Sequence, residues 1–249
     1  TPCGTLFPYT TLFRSDTHWR VTIVGYDAPG VLSLICGLLF GYGFSIEEGQ
    51  VFTYEPRGSG DQPRQTRERR KIVDVFTVES VHDEVDAGTW IGYADELDAL
   101  VQEVQAGRRQ QAQGKLVKRV AAVIAGEANS NRTLYPVEIE IDNSVSDTYT
   151  VLHISAPDTV GFLYELTNAL AYTHTYIARV SVESYGGRAH DAIFVTDANG
   201  NKIMDEGRQR ELRAAVVLIK HFTHLLPQSP DPETALLHFR EFIDHLFRQ

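Results

Sequence analysis

The feature of this sequence that most constrains its fold is an internal repeat of a strand–turn–helix–strand segment. The two copies occupy residues 20–54 and 150–184. Each has an alternating apolar segment, an Asp-x-x-Gly turn, an apolar run at helical spacing and a second strand rich in β-branched residues. Asp27 and Asp158 stand 131 residues apart, and so do Gly30 and Gly161. The common spacing at both turn positions indicates two structural copies of one unit.

Each copy continues with a further strand and a further helix. Residues 71–79 and 189–196 alternate as strands, with Asp74 matching Asp191. Helical patterns follow, the first over about 30 residues from Ile91 to near Gly126 and the second over residues 208–226. The order strand, helix, strand, strand, helix, strand predicts an α+β fold with two ferredoxin-like (βαββαβ) domains, antiparallel sheets and helices on one face.

The two predicted domains have a single candidate for the fourth strand that each of them needs. Residues 136–142 alternate cleanly, whereas the second copy is followed by residues 227–249, which begin with Ser, Pro and Asp and have a helical period. The sequence leaves open which copy owns the strand. We expect a first domain over residues 17–142 with a long second helix, a second domain over residues 143–226, and a C-terminal helical extension over residues 227–249.

Two segments stand apart from the repeat. Residues 5–15, TLFPYTTLFRS, resemble the in-frame translation of a sequencing adapter, so we exclude residues 1–15 from the fold prediction and expect a fragment. Residues 55–70 are rich in Pro, Gly, Gln and Arg and predict a mobile hairpin insertion. From Arg57 to Lys71 there are six basic and two acidic residues. A solvated loop is the favoured interpretation, and a docking surface for an acidic partner is the alternative.

The net charge, the apolar runs and the cysteine content indicate which partners and which compartment to expect. The formal net charge is −10, which gives no reason to expect nucleic acid or an anionic membrane as a partner. No apolar run approaches the roughly 20 residues that a membrane span needs. Only Cys3 and Cys36 are present, which excludes a disulfide framework and favours the cytoplasm.

The repeat resembles a pair of ACT domains, small regulatory modules that bind amino acids, over about residues 17–226. Residues 142–151 (DNSVSDTYTV), 185–197 (YGGRAHDAIFVTD) and 200–203 (GNKI) resemble the entry, hairpin and exit of the last ACT domain in bacterial PII uridylyltransferases. Residues 229–236 (SPDPETAL) resemble the opening of a glutamine synthetase adenylyltransferase domain. The resemblance implies a regulatory region attached to a nucleotidyltransferase, with self-association through ACT sheets.

The resemblance implies an amino acid as the ligand, with glutamine as the leading candidate, and no cofactor. Exposed amides and the dipole at a helix start attract a carboxylate, so the two strand-to-helix turns are the predicted sites. Asp27 and Asp158 could receive the ammonium group or only cap the helix. The second turn lacks the proline of the first, which puts binding there in doubt. The predicted ligand-binding residues are Asp27, Ala28, Pro29, Gly30, Val31, Asp158, Thr159, Val160, Gly161 and Phe162.

Other chemistry finds little support in the sequence. His221 and His224 share a helical face, as do His238 and His245, but a zinc site needs further fixed ligands, so we predict no metal. No phosphate-binding loop, Gly-x-Ser-x-Gly or His-Glu-x-x-His motif is present, and we predict no catalysis by this chain alone. A ligand-free module for dimerisation or protein interaction is the alternative to a sensor.

Overall fold

The structure, a computed structural model, describes residues 9–15, 18–28, 30–54, 70–81, 85–126, 136–157, 161–185 and 187–247. Its strands are β1 (Tyr9–Ser15), β2 (His18–Tyr26), β3 (Phe44–Tyr54), β4 (Lys71–Ser80), β5 (Glu138–Asp142), β6 (Thr150–Pro157), β7 (Tyr176–Tyr185) and β8 (Arg188–Thr196). Its helices are α1 (Val31–Gly41), α2 (Ala87–Gln105), α3 (Arg109–Gly126), α4 (Phe162–Tyr172), α5 (Glu206–Leu225) and α6 (Pro232–Phe247). A short 3₁₀ turn, Leu226–Gln228, joins α5 to α6. The predicted insertion lies outside the described residues except for Arg70.

All eight strands form one antiparallel sheet in the order β1-β2-β4-β3-β7-β8-β6-β5. Each half has the strand order of a ferredoxin-like unit, as predicted. The halves join where β3 pairs with β7 from Glu48↔Glu183 to Phe52↔Arg179. Equivalent register shifts occur in the two copies, between Ile46 and Glu48 in β3 and between Ile177 and Arg179 in β7. The sequence repeat is therefore a structural repeat down to its β-bulges.

The outer strand of each half precedes the rest of its unit in the chain. Residues Glu138–Asp142 pair with β6 of the second copy, from Glu138↔Ser155 to Asp142↔Val151, which answers the question of ownership that the sequence left open. In the first copy, β1 occupies the corresponding place beside β2. The chain order in each half is therefore ββαββα, with the fourth strand of the ferredoxin-like plan placed first.

The segment that we excluded from the fold, residues 1–15, contributes this first strand. Tyr9–Ser15 pairs with most of the outer edge of β2, from Tyr9↔Val24 to Ser15↔His18. An uncovered strand edge offers a row of backbone donors and acceptors to any extended segment near it, which gives a physical reason for the pairing. The resemblance of these residues to an adapter concerns their origin and stays a prediction.

The single long helix predicted from Ile91 to Gly126 was wrong, because two helices occupy this range. α2 ends at Gln105, and Gly107 then adopts a left-handed conformation with φ of 79°. Glycine takes this conformation at little cost, and it stops a right-handed helix. The chain restarts as α3 at Arg109, so that α3 can pack against α1, α2 and the C-terminal helix α6.

The core lies between the sheet and the helices. Every residue of α1 except Leu32 is buried, and so are residues Phe162–Leu170 of α4. The sequence predicted one apolar face on α1, but an apolar helix of this kind packs on several sides. α1 contacts α2, α3, α4 and β3, so the two copies share one continuous core. Within the described ranges, no helix is both long and apolar enough to cross a membrane.

Candidate functional site

The two strand-to-helix turns have the same backbone geometry. Gly30 and Gly161 are the N-cap residues of α1 and α4, with φ of 86° and 87°, and neither helix start has a side-chain capping bond at that residue. Non-glycine residues rarely adopt this left-handed conformation, so the backbone itself requires glycine at both turns. The predicted site residues Pro29, Asp158, Thr159 and Val160 lie outside the described residues.

Asp27 forms an ion pair at the first turn. Its carboxylate Oδ2 lies 2.6 Å from Nη2 of Arg70, and its backbone N–H donates to the Arg70 carbonyl at 2.8 Å. The sequence offered two roles for Asp27, binding an ammonium group or capping the helix. The structure adds a third role, because the ion pair fastens the turn to the start of β4.

A cavity of about 60 Å³ opens beside this turn, at the junction of the two copies. By volume it holds about four to six water molecules, since each needs about 10–15 Å³. Three predicted residues, Asp27, Gly30 and Val31, lie in its walls, whereas Ala28 does not line it. The other walls include Ser33, Val51, Ile72 and Asp74 of the first copy and Thr167, Ala171, His174, Thr175, Tyr176 and Ile177 of the second. The cavity is therefore completed by residues distant in sequence.

Asp74 is the one acidic group in this cavity that is fully buried. It is 0% exposed, and both of its carboxylate oxygens lack a hydrogen-bond partner among the described residues. Burial raises its pKa well above the ordinary value, and the negative charge of Asp27 raises it further, while the nearby backbone N–H of Phe52 acts in the opposite direction. A buried carboxylate without a cation beside it is costly when it is ionised.

Sequence reasoning paired Asp74 with Asp191 but did not include either in the predicted site. The signal was present, because Asp74 alternates in phase with the buried residues Ile72 and Phe76 on β4. An acid on the core-facing side of a strand is a stronger functional indication than an acid in a turn. Asp191 occupies the equivalent place on β8 and is 3% exposed.

The second turn lines an equivalent but much smaller cavity of about 20 Å³. The predicted residues Gly161 and Phe162 lie in its walls, together with Asp191. Larger side chains fill it: Val31, Ser33, Ala171 and Thr175 of the first cavity correspond to Phe162, Tyr164, Phe40 and Phe44 of the second. A Cβ added to Gly161 would lie 2.8 Å from the Phe40 ring, whereas at Gly30 the nearest group is the Arg109 guanidinium at 3.0 Å. The molecule therefore has one open and one filled version of the same site.

The histidines identified in the sequence form no metal centre in the part of the chain that the structure describes. There, no group of three or more His, Cys, Asp or Glu side chains is arranged to hold a metal ion. The His221 Nδ1 lies 2.8 Å from the Val217 carbonyl of its own helix.

One family model matches the second half of the chain. Residues 138–224 match the family described as "ACR9-like, ACT-like domain", and this range runs from the start of β5 into α5. The first half of the chain has the same arrangement of strands and helices as this matched second half. The match also begins at β5, in agreement with the pairing of this strand with β6.

The curated relatives are bacterial enzymes. A bifunctional uridylyltransferase/uridylyl-removing enzyme of Rhodopseudomonas palustris is 31% identical over 201 residues, which cover 80% of this chain and 19% of the relative. Enzymes of the same name from Bradyrhizobium diazoefficiens and Azospirillum brasilense are each 28% identical, over 79% and 82% of this chain and 19% and 20% of their own lengths. The chain therefore spans about a fifth of the length of these relatives. No solved structure matches.

Proposed function

We propose that this chain is an amino-acid-sensing regulatory module of a nitrogen-control nucleotidyltransferase, and that L-glutamine is the first ligand to test. The observation that carries the proposal is the buried Asp74 carboxylate in a cavity that both copies line. The names of the relatives support the attachment to a nucleotidyltransferase. The chain itself is the regulatory portion and catalyses no reaction.

The chemistry of the cavity suits the common end of an amino acid. An ammonium group placed beside Asp74 supplies a positive charge and up to three N–H donors, and such charge-assisted hydrogen bonds are strong when both groups leave water. A free amino acid has five heavy atoms in its head group, and the cavity of about 60 Å³ accepts about four to six water-sized groups. The Asp27 carboxylate, already paired with Arg70, adds negative potential at the same wall.

The position of the cavity explains how binding acts at a distance. The ligand contacts Gly30 and Asp74 of the first copy and Ala171 and Tyr176 of the second. A ligand that contacts both copies favours the arrangement in which its contacts are complete. Binding therefore biases the relation between the copies, and an attached catalytic domain that senses this relation is regulated.

The proposal is tested by isothermal titration calorimetry of the full chain with each of the twenty L-amino acids. We expect saturable binding of at least one, with glutamine first, and loss of that binding in the Asp74→Asn variant. The Asp191→Asn variant is the matched control, because Asp191 lies in the filled cavity. If the folded protein binds none of the twenty amino acids, the proposal is wrong.

A ligand-free assembly module is the second candidate, and the free edge of the sheet favours it. β5 pairs only with β6 among the described strands, so its outer edge is open to a further strand. The edges of β3 and β7 are already joined within the chain. This candidate predicts a stable oligomer that amino acids leave unchanged and that a proline at Ile139 disrupts, as measured by analytical ultracentrifugation.

A further inference from the structure

Three side chains with hydrogen-bond donors lie together beside the cavity. They are the guanidinium of Arg109 at the start of α3, the hydroxyl of Tyr172 at the end of α4, and the guanidinium of Arg240 on α6. The Arg109 Nε and the Tyr172 hydroxyl are buried and have no hydrogen-bond partner among the described residues. Arg240 donates through Nη1 to Gln113 Oε1 at 2.9 Å, and its guanidinium carbon lies 5.7 Å from the centre of the Tyr172 ring.

The electrostatics of this group favour an added oxyanion. Burial lowers the pKa of Arg109, and the positive charge of Arg240 lowers it further, while Tyr172 and Tyr176 act in the opposite direction. Burial raises the pKa of Tyr172 to about 12, an effect that the charges of Arg240 and Arg109 partly offset. The Asp244 carboxylate also raises it, more weakly. Two like charges held together in a partly buried place repel each other, and an oxyanion between them removes the repulsion.

The donors adjoin the cavity wall. The Arg109 guanidinium packs on Gly30, where a Cβ would lie 3.0 Å from Nη2 and 3.3 Å from Nε. Gly30, Ala171 and Tyr176 line the cavity, and Ala171 directly precedes Tyr172 in the chain. The absence of a side chain at Gly30 is what lets the guanidinium reach this wall.

We propose that Arg109 and Tyr172, assisted by Arg240, form an oxyanion site at the wall of the cavity, and that its ligand is the carboxylate of the bound amino acid. This inference rests on the proposed function. The ammonium group of the bound amino acid then contacts Asp74, and its carboxylate contacts Arg109. The site therefore recognises a zwitterion. A free oxyanion such as inorganic phosphate presents the same chemistry and is the alternative source.

The site also joins three parts of the molecule. Arg109 comes from α3, Tyr172 from the second copy and Arg240 from α6, whose Phe239 ring packs at right angles to Tyr172 with 6.3 Å between ring centres. α6 is further held to α3 by the ion pair between Lys118 and Glu233. A ligand that binds Arg109 and Tyr172 therefore also orders the C-terminal helix.

The test is a set of calorimetric titrations on the full chain and its Arg109→Gln and Tyr172→Phe variants. L-Glutamine and its α-carboxamide analogue, which lacks the carboxylate, are titrated in one arm, and inorganic phosphate in the other. We expect Arg109→Gln to weaken glutamine binding at least tenfold and Tyr172→Phe to weaken it about three- to tenfold. The carboxamide should bind wild type and Arg109→Gln with equal affinity. Arg108→Gln is the matched control, because Arg108 does not line the cavity and its Nε lies 2.7 Å from the Glu103 carboxylate.

The outcomes separate this inference from the proposed function. Phosphate binding that depends on Arg109, without any amino acid binding, keeps the oxyanion site and overturns the sensor proposal. Glutamine binding that Arg109→Gln leaves unchanged keeps the sensor and overturns the oxyanion site. Thermal unfolding of each variant excludes misfolding, and Arg109→Gln should unfold at or above the wild-type temperature since it removes an unpaired, partly buried charge.

Discussion

Phe40 and Ala171 occupy the same place in the two copies, 131 residues apart, and they lie in the walls of the filled and the open cavity respectively. Ala171 of the second copy borders the site at the first turn, and Phe40 of the first copy borders the site at the second turn. Each copy thus supplies part of the wall of the other's site. The difference in size between these two side chains is a main reason that one cavity measures about 60 Å³ and the other about 20 Å³.

The first prediction replaces the small side chain of Ala171 by the larger one found at the equivalent Phe40. Ala171→Phe should fill the open cavity as Phe40 fills its counterpart and should abolish amino-acid binding in calorimetry. Overpacking at a buried site costs about 1–3 kcal/mol, so the variant should still fold. Ala198→Phe, at an exposed position in the turn after β8, is the control and should bind as wild type does. Unchanged affinity in Ala171→Phe would mean that the ligand binds elsewhere.

The second prediction concerns the filled cavity. Phe40 is 2% exposed and contacts the second turn, so Phe40→Ala should lower the free energy of unfolding by about 3–5 kcal/mol, the usual cost of truncating a buried aromatic ring. Urea unfolding followed by circular dichroism measures the change. A loss below about 1 kcal/mol would show that the ring does not fill the site in solution.

The third prediction is that Asp74 trades stability for binding. Its pKa is raised in the folded state, so below about pH 4 the carboxyl is protonated in both folded and unfolded chains and costs nothing. As the pH rises, the unfolded chain ionises first, the native state retains its proton, and stability falls until the pH passes the raised pKa. Asp74→Asn should therefore be more stable than wild type at neutral pH, by about 1–2 kcal/mol, with a difference that shrinks towards pH 4. Unfolding curves for both proteins between pH 4 and pH 8 measure this difference.

The fourth prediction links binding to proton release. An ammonium group stabilises the ionised form of Asp74, so at a pH below its raised pKa the ligand should displace the proton that the carboxyl holds. The observed binding enthalpy should then depend on the ionisation enthalpy of the buffer, and affinity should rise with pH until the carboxyl is ionised in the free protein. Calorimetry in Bis-Tris and Tris at one pH detects this directly, because these amine buffers differ in ionisation enthalpy and bring no oxyanion that could compete for the site. Equal enthalpies in the two buffers, at a pH where Asp74 is protonated, would contradict a contact between Asp74 and the ammonium group.

Much of the fold followed from local patterns in the sequence. The common spacing of Gly30 and Gly161 predicted two ferredoxin-like copies, and the alternation around Asp74 predicted β4. The ownership of β5 could not be predicted, because it depends on pairing with β6 rather than on any local signal. The break between α2 and α3 had a local signal in Gly107, but only the observed left-handed backbone identifies it as a turn rather than a tolerated glycine.

Only part of the candidate site could be predicted, because only some of its residues carry a local signal in the sequence. Turn chemistry identified Asp27, Gly30 and Val31, which do line the cavity. The remaining wall comes from the end of α4 and the start of β7, more than a hundred residues further along the chain, so Ala171 and Tyr176 carried no signal of their own. Asp74 did carry one, since it is an acid in phase with a buried apolar face. The predicted roles of the turn residues in ligand binding remain predictions.

The most direct test of the central claim is the stoichiometry of amino-acid binding to the full chain, measured by isothermal titration calorimetry with L-glutamine and the other L-amino acids. The open and filled cavities predict saturation at one ligand per chain, with binding lost in Asp74→Asn and retained in Asp191→Asn. Saturation at two ligands per chain, or equal loss in both variants, would contradict the assignment of one working site to the junction beside Gly30 and Asp74.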